Sequence, residues 1–254
     1  MEKKLLVVLV VVGLCSTVAL ALDPMGPPAA SLGKGKSSIG VEYSWSNMEL
    51  ERKVTKWGSG NGPGARQTQH INPMHKIYAN LGYGMADNVD VFLRAGAGSA
   101  GYKPHGNEDW SSGDGEASFI FGGGIRGTLK EEPGVKWGFL AQYSCADDFR
   151  GNIEVNGDDA TYDLKLDELQ IAIGPTWAAA QGLTIYGGPF FHFVRGTVQD
   201  CKYGDLQRHA MEEDSWLGGY VGVGLELAQN CSANVEWMQT PDDYALGAGL
   251  VFKQ

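Results

Sequence analysis

The last stretch of the chain constrains the fold most. Tyr244, Leu246, Ala248, Leu250 and Phe252 alternate with Ala245, Gly247, Gly249 and Val251, a period of two that belongs to a β-strand with unlike faces. One face carries the bulk and the other is nearly bare. A sheet in water sets polar residues on its outer face, whereas a membrane-spanning barrel turns its greasy face to lipid and needs small residues in a crowded interior. The stretch therefore reads as the strand that seals a barrel.

Composition narrows the class. The 254 residues include 37 glycines and contain no helical apolar period, so one β-rich domain is expected. A net charge of -10 argues against a nucleic-acid partner. Glu2, Lys3 and Lys4 precede the apolar run Leu5 to Leu14, and Ala19-Leu20-Ala21 supplies small residues before a break, so residues 1–21 read as a secretory signal peptide cut after Ala21. Leu14 stands before Cys15 where lipidation would need a small residue. No later run reaches the roughly 18 apolar residues of a membrane helix, so any membrane residence must be as a barrel. Residues 22–35, with Pro24, Gly26, Pro27 and Pro28, form an extended leader placed at the periplasmic side or in the lumen, and residues 36–254 form the barrel.

Outward residues recur in steps of two along about ten segments, giving an antiparallel up-and-down transmembrane barrel, with eight or twelve strands as alternatives. The segments begin with Ile39, Val41, Tyr43 and Trp45, and run through sets such as Val135, Trp137, Phe139, Ala141 and Tyr143 to the closing strand. Met85 to Asn88, Lys130 to Gly134, Ala179 to Gly182 and Ala228 to Asn230 read as tight turns. Glu51 to Pro73, Ser99 to Gly115, Ala146 to Thr161 and Gly196 to Asp214 read as long polar loops. Short and long connections alternate until the brief Thr240 to Asp243, as they do in barrels with tight periplasmic turns and long external loops. Tyr43, Trp45, Tyr143, Phe193, Trp237 and Tyr244 at the loop ends, with Tyr83, Trp137, Trp177 and Phe252 at the turn ends, predict two aromatic girdles.

The opposite parity gives the interior: Glu42, Lys76, Asp90, Arg94, Arg126, Lys136, Glu168, His192, Glu226 and Glu236, interleaved with glycines. Five acids and four bases nearly balance, as charges in a membrane span must pair or meet water. They predict a salt-bridge network that braces a small barrel, or else a narrow polar channel in which Arg94, Arg126, Lys136, Glu168 and Glu226 set selectivity.

On these features the mature chain, from about Lys36 to Phe252, resembles the bacterial outer-membrane β-barrels, both the small OmpA-, OmpX- and OmpW-like barrels and the porin-like ones. The resemblance implies residence in the cell outer membrane, with outer-membrane lipid and the barrel-assembly machinery as partners. Gly247, Leu250 and Phe252 resemble the C-terminal signal such proteins present for assembly, although Lys253 and Gln254 follow the aromatic. The expected function is that of a porin-like or structural surface protein without catalysis; a barrel enzyme acting on envelope lipid or peptide, and a secreted soluble β-barrel binder, are the alternatives.

Some ten-stranded barrels are surface proteases with Asp and His on the rim. Here Asp147, Asp148, Asp158, Asp159, Asp163, Asp242 and Asp243 fall in or beside loops, as do His70, His105 and His209, without a spaced Asp-x-His pattern. No catalytic residues, cofactor or metal site are assigned. Asn107-Glu108-Asp109 and Gly113-Asp114-Gly115 lack the spacing of a defined calcium loop. His192 reads as a hydrogen-bonded lumen residue, since no His or Cys neighbours it in sequence. Of Cys145, Cys201 and Cys231, the first two fall on the external side, so a Cys145–Cys201 disulfide is expected, with Cys231 free.

Overall fold

Backbone amides in hydrocarbon can be satisfied only by a helix or a closed ladder, and this chain closes a ladder. The computed structural model describes residues 22–53, 66–103, 110–111, 115–155, 158–202, 205–213 and 216–254. The proposed signal peptide, Cys15, His105 and the acidic stretch from Asn107 to Asp109 lie outside the described residues, as does Asp114.

The strands are β1 (Ser37–Lys53), β2 (Arg66–Ala86), β3 (Val89–Lys103), β4 (Trp110–Ser111), β5 (Ser118–Glu132) and β6 (Val135–Val155). They continue with β7 (Asp158–Ala180), β8 (Leu183–Lys202), β9 (Asp205–Glu212), β10 (Leu217–Ala228), β11 (Cys231–Gln239) and β12 (Tyr244–Lys253). Ten of them, all but β4 and β9, form an antiparallel wall in chain order, and β10 takes up β8 so that the circuit skips β9. The last strand returns to the first in unbroken register from Ser38↔Lys253 to Asn47↔Tyr244. The closing role read from the final stretch is the observed one. Gly134 and Gly182, at φ +80° and +68°, supply the left-handed residue in two of the tight turns.

The long connections differ from expectation. Much of what reads as loop is strand: β2 starts at Arg66, β6 runs on to Val155 and β7 starts at Asp158. Strands of 21 and 23 residues are about twice what a tilted strand needs to cross the hydrocarbon. The reason is a reversal of polarity along each long strand. On β7, Leu169, Ile171 and Ile173 face out beside inward Glu168 and Gln170, but a few residues farther out Tyr162, Leu164 and Leu166 are buried inside and Asp163, Lys165 and Asp167 face water. β1 repeats this: outward Val41 and Tyr43 oppose buried Ser44 and Ser46, and then Met48 and Leu50 turn inward opposite Glu49 and Glu51. The wall is greasy outside at the membrane and greasy inside above it.

Above the membrane the buried apolar residues form one cluster that includes Met48, Leu50, Ile71, Tyr102, Phe149, Tyr162, Leu164, Val198 and Met211. Removing each such side chain from water contributes about 1.5–3 kcal/mol. The three strands β10 to β12 are short, and the gap they leave above the membrane is filled by β9, which pairs with β8 along its length and with β1 at Glu51↔Glu212 and Arg52↔Met211.

Candidate functional site in the lumen

The leader is threaded into the barrel. Leu22, Asp23, Met25, Ala29 and Ala30 are buried, and the extended segment meets inward residues of β2, β3, β5, β6, β11 and β12. Asp23 is its anchor. Its carboxylate accepts from Lys76 Nζ at 2.9 Å, from the Tyr78 hydroxyl at 2.9 Å and from the Ser144 hydroxyl at 2.5 Å, and lies 3.6 Å from Arg94. Lys76 also donates to Glu168, so one buried ammonium joins leader and wall.

The remaining anchors on the leader are mostly backbone. The amides of Met25 and Gly26 donate to the two oxygens of Glu236 at 2.5 and 2.8 Å, and those of Ser31 and Leu32 donate to Asp90 at 2.7 and 3.3 Å. The Pro24 carbonyl accepts from Arg94 and Gln142, each at 3.3 Å, and the Pro27 carbonyl from Arg126 at 3.3 Å. Arg126 and Arg94 also stack over the Phe92 ring, 4.9 and 5.2 Å from its centre. Space for the segment comes from the wall's glycines: a Cβ at Gly138 would sit 2.5 Å from the Ala29 backbone, and one at Gly247 3.0 Å from the Pro24 ring.

The ten inward residues expected from sequence thus divide. Lys76, Asp90, Arg94, Glu168, His192 and Glu236 are buried in the lumen, and Glu42 and Arg126 are half-buried. Lys136 and Glu226 stand instead at the periplasmic mouth, where Lys136 pairs with Glu131 at 3.1 Å, because their strands have by then reached the turns. Both line a cavity of about 550 Å³ beneath the leader, shared with Arg126, Asp90 and Lys253. Leu250 and Phe252 of the proposed assembly signal face outward and Gly247 faces Pro24.

At the outer end the interior holds a second polar group. His192 is fully buried, with Nδ1 2.9 Å from a Glu213 oxygen and 3.9 Å from an Asp243 oxygen, while Nε2 lies 3.8 Å from Glu168. Asp243 ends the β11–β12 connection, where Thr240 holds it by bonds to its amide and carbonyl and the Glu49 amide donates to its carboxylate at 2.9 Å. Burial pushes the Asp243 carboxyl up to about 8, and Glu213 beside it adds to the shift.

The described rim groups are paired in other ways. His70 lies 3.1 Å from Glu49, Arg150 pairs with Asp148 and Asp163, and Lys165 with Asp147. The expected Cys145–Cys201 disulfide is not formed. Cys145 is a free thiol, as is Cys231. The Cys145 backbone lies opposite Asp167 on one side of β7 and that of Cys201 opposite Thr161 on the other, six positions farther out, roughly 20 Å along the strand.

No protein-family model matches the chain, and no curated protein is similar to it in sequence. Solved structures are similar in fold. The outer-membrane protease OmpT of Escherichia coli superposes with a TM-score of 0.54 at 11% identity, covering 92% of this chain and 99% of that one. The translocator domain of the autotransporter NalP of Neisseria meningitidis gives 0.49 at 11% identity, over 87% and 88% of the two chains. The COG4313 outer-membrane channel of Pseudomonas putida F1 gives 0.44 at 11% identity, over 92% and 100%. Taken with the lipid-facing belt and the closed ten-strand wall, the fold is that of a bacterial outer-membrane β-barrel.

Proposed function

We propose that the protein is a corked, non-conducting barrel that serves the outer membrane as a structural surface protein, not as an open pore and not as an enzyme. The observation that carries this reading is the leader, whose residues from Leu22 to Leu32 occupy the lumen and bond to Lys76, Asp90, Arg94, Gln142 and Glu236. A solute passing through would have to displace buried charge pairs, and would then meet the apolar cluster around Tyr102, Phe149 and Leu164. Two barriers of opposite chemistry in series favour closure. What the protein offers outside is the water-facing wall of Glu49, Glu51, Asp163, Lys165 and Asp167. Planar-bilayer recording tests the reading: the purified barrel should insert without stepwise conductance, and stable ohmic steps from intact protein would overturn it.

A further inference from the structure

The cluster at the outer end of the lumen carries more than a packing role. His192, Glu213 and Asp243 place one ligand atom each within 4.8 Å of one another. They come from β8, from the residue that follows β9, and from the β11–β12 connection. All three side chains are almost wholly buried, at 0%, 2% and 0% exposure. Two carboxyl groups packed together with no solvent repel each other when both are ionised. The second oxygens of Asp243 and Glu213 are buried and have no hydrogen-bond donor. A buried acceptor left so is costly, and more so when charged.

We infer that His192, Glu213 and Asp243 bind a divalent transition-metal ion, for which zinc is the natural probe. One imidazole nitrogen with two carboxylates suits such an ion better than calcium, which takes oxygen ligands alone. The spacing suits it also. Tetrahedral ligands about 2.0–2.2 Å from zinc stand roughly 3.3–3.6 Å apart, and the distances from His192 Nδ1 to the two carboxylates, 2.9 and 3.9 Å, bracket that range. The far ring nitrogen faces Glu168 at 3.8 Å, in the place of the outer carboxylate that orients a metal-bound imidazole. Asp243 is held for the task by Thr240 and by the Glu49 amide, which leaves its second oxygen turned to the cluster.

The location gives the ion a structural role. At Phe191 the strand β8 pairs with Leu217 of β10, and from Arg195 outward it pairs with β9. His192 sits at this fork, with its amide bonded to Trp216 and the Glu213 amide bonded to Val194. An ion there would pin β9 to the short-strand side of the barrel and hold the outer extension shut.

Zinc loading of the folded barrel in detergent, followed by dialysis against metal-free buffer and elemental analysis, is the test. The wild-type protein should retain about one zinc per chain. His192→Gln and Asp243→Asn should lose it, with a drop in affinity of at least roughly tenfold. Asp243→Asn keeps the acceptor for the Glu49 amide and relieves repulsion with Glu213, so this variant should fold as judged by heat-modifiable migration. His70→Gln, which alters the exposed His70–Glu49 pair, should retain zinc. Loading should also slow proteolysis within β9 in wild-type protein and not in Asp243→Asn. Wild-type protein that retains no zinc, or variants at His192 and Asp243 that retain as much as wild type, would overturn the assignment.

Discussion

Leu164 and Ile173 lie on the same strand and point to opposite sides of the same wall, one fully buried in the outer cluster and the other half exposed on the belt. Near Ile173 the surroundings are hydrocarbon and the inside is polar; near Leu164 they are water and the inside is greasy. A single ribbon of backbone serves both because its side-chain period of two permits either face to be the apolar one. What changes along the strand is the medium outside, and the sequence changes parity to match it. The lower lumen must therefore manage charge, through Asp23, Lys76, Arg94 and Glu168, while the upper one is packed like the core of a soluble protein.

The contrast can be broken most severely by putting a charge where the upper half is dry. Leu164→Asp buries an unpaired carboxylate among Phe149, Tyr162 and Val198, and should yield no heat-modifiable barrel. Asp163→Asn, one residue away on the wet face, should migrate as wild type. Next in size, Lys76→Met leaves Asp23 and Glu168 buried with their shared cation gone, and should lower stability by about 3–5 kcal/mol in urea unfolding from lipid vesicles. Adding Asp23→Asn to that variant should recover part of the loss; strictly additive losses would show that the two residues do not communicate. Ile173→Arg tests the lipid side and should cost about 2–4 kcal/mol in the same assay. Lys165, a native cation on the same face of β7, marks how far out the charge becomes harmless. The smallest effect is expected of Phe252→Ala, which trims the belt at the strand the assembly machinery is proposed to read. Its folded product should be of near-normal stability but accumulate more slowly in the outer membrane, and unchanged accumulation would count against the signal.

Much of the lower half was legible from residues alone. The outward sets, the tight turns and the closing strand needed only a period of two and an apolar face to follow. The upper half is not legible in the same way, because there the apolar face points inward and the outward residues are polar. Met48 and Leu50 alternate with Asn47, Glu49 and Glu51 as cleanly as the belt does, but with the sides exchanged, and so they belong neither to the outward set that ends at Trp45 nor to the loop that begins at Glu51. The lumen charges were found as residues but not with their partners. Apart from Asp23 those partners are mostly amides and carbonyls of the leader, which leave no mark in side-chain pattern. His192 was placed inward, yet Glu213 and Asp243 arrive from distant segments that only the fork at β8 brings together. The cysteines differ for a related reason: topology gives the side of the membrane on which Cys145 and Cys201 lie, but not their height along the wall.

The substitution of one stave, β9, for three has a consequence for how this molecule could change. A barrel's girth follows the number of its strands, so the hoop embedded in lipid and the turret above it are sized by different parts of the chain. Lengthening or trimming the β8–β9 arm would widen or narrow the turret and leave the hoop and its cork as they are. The exterior shape presented to the surroundings is thus free to diversify without renegotiating the fit to the bilayer.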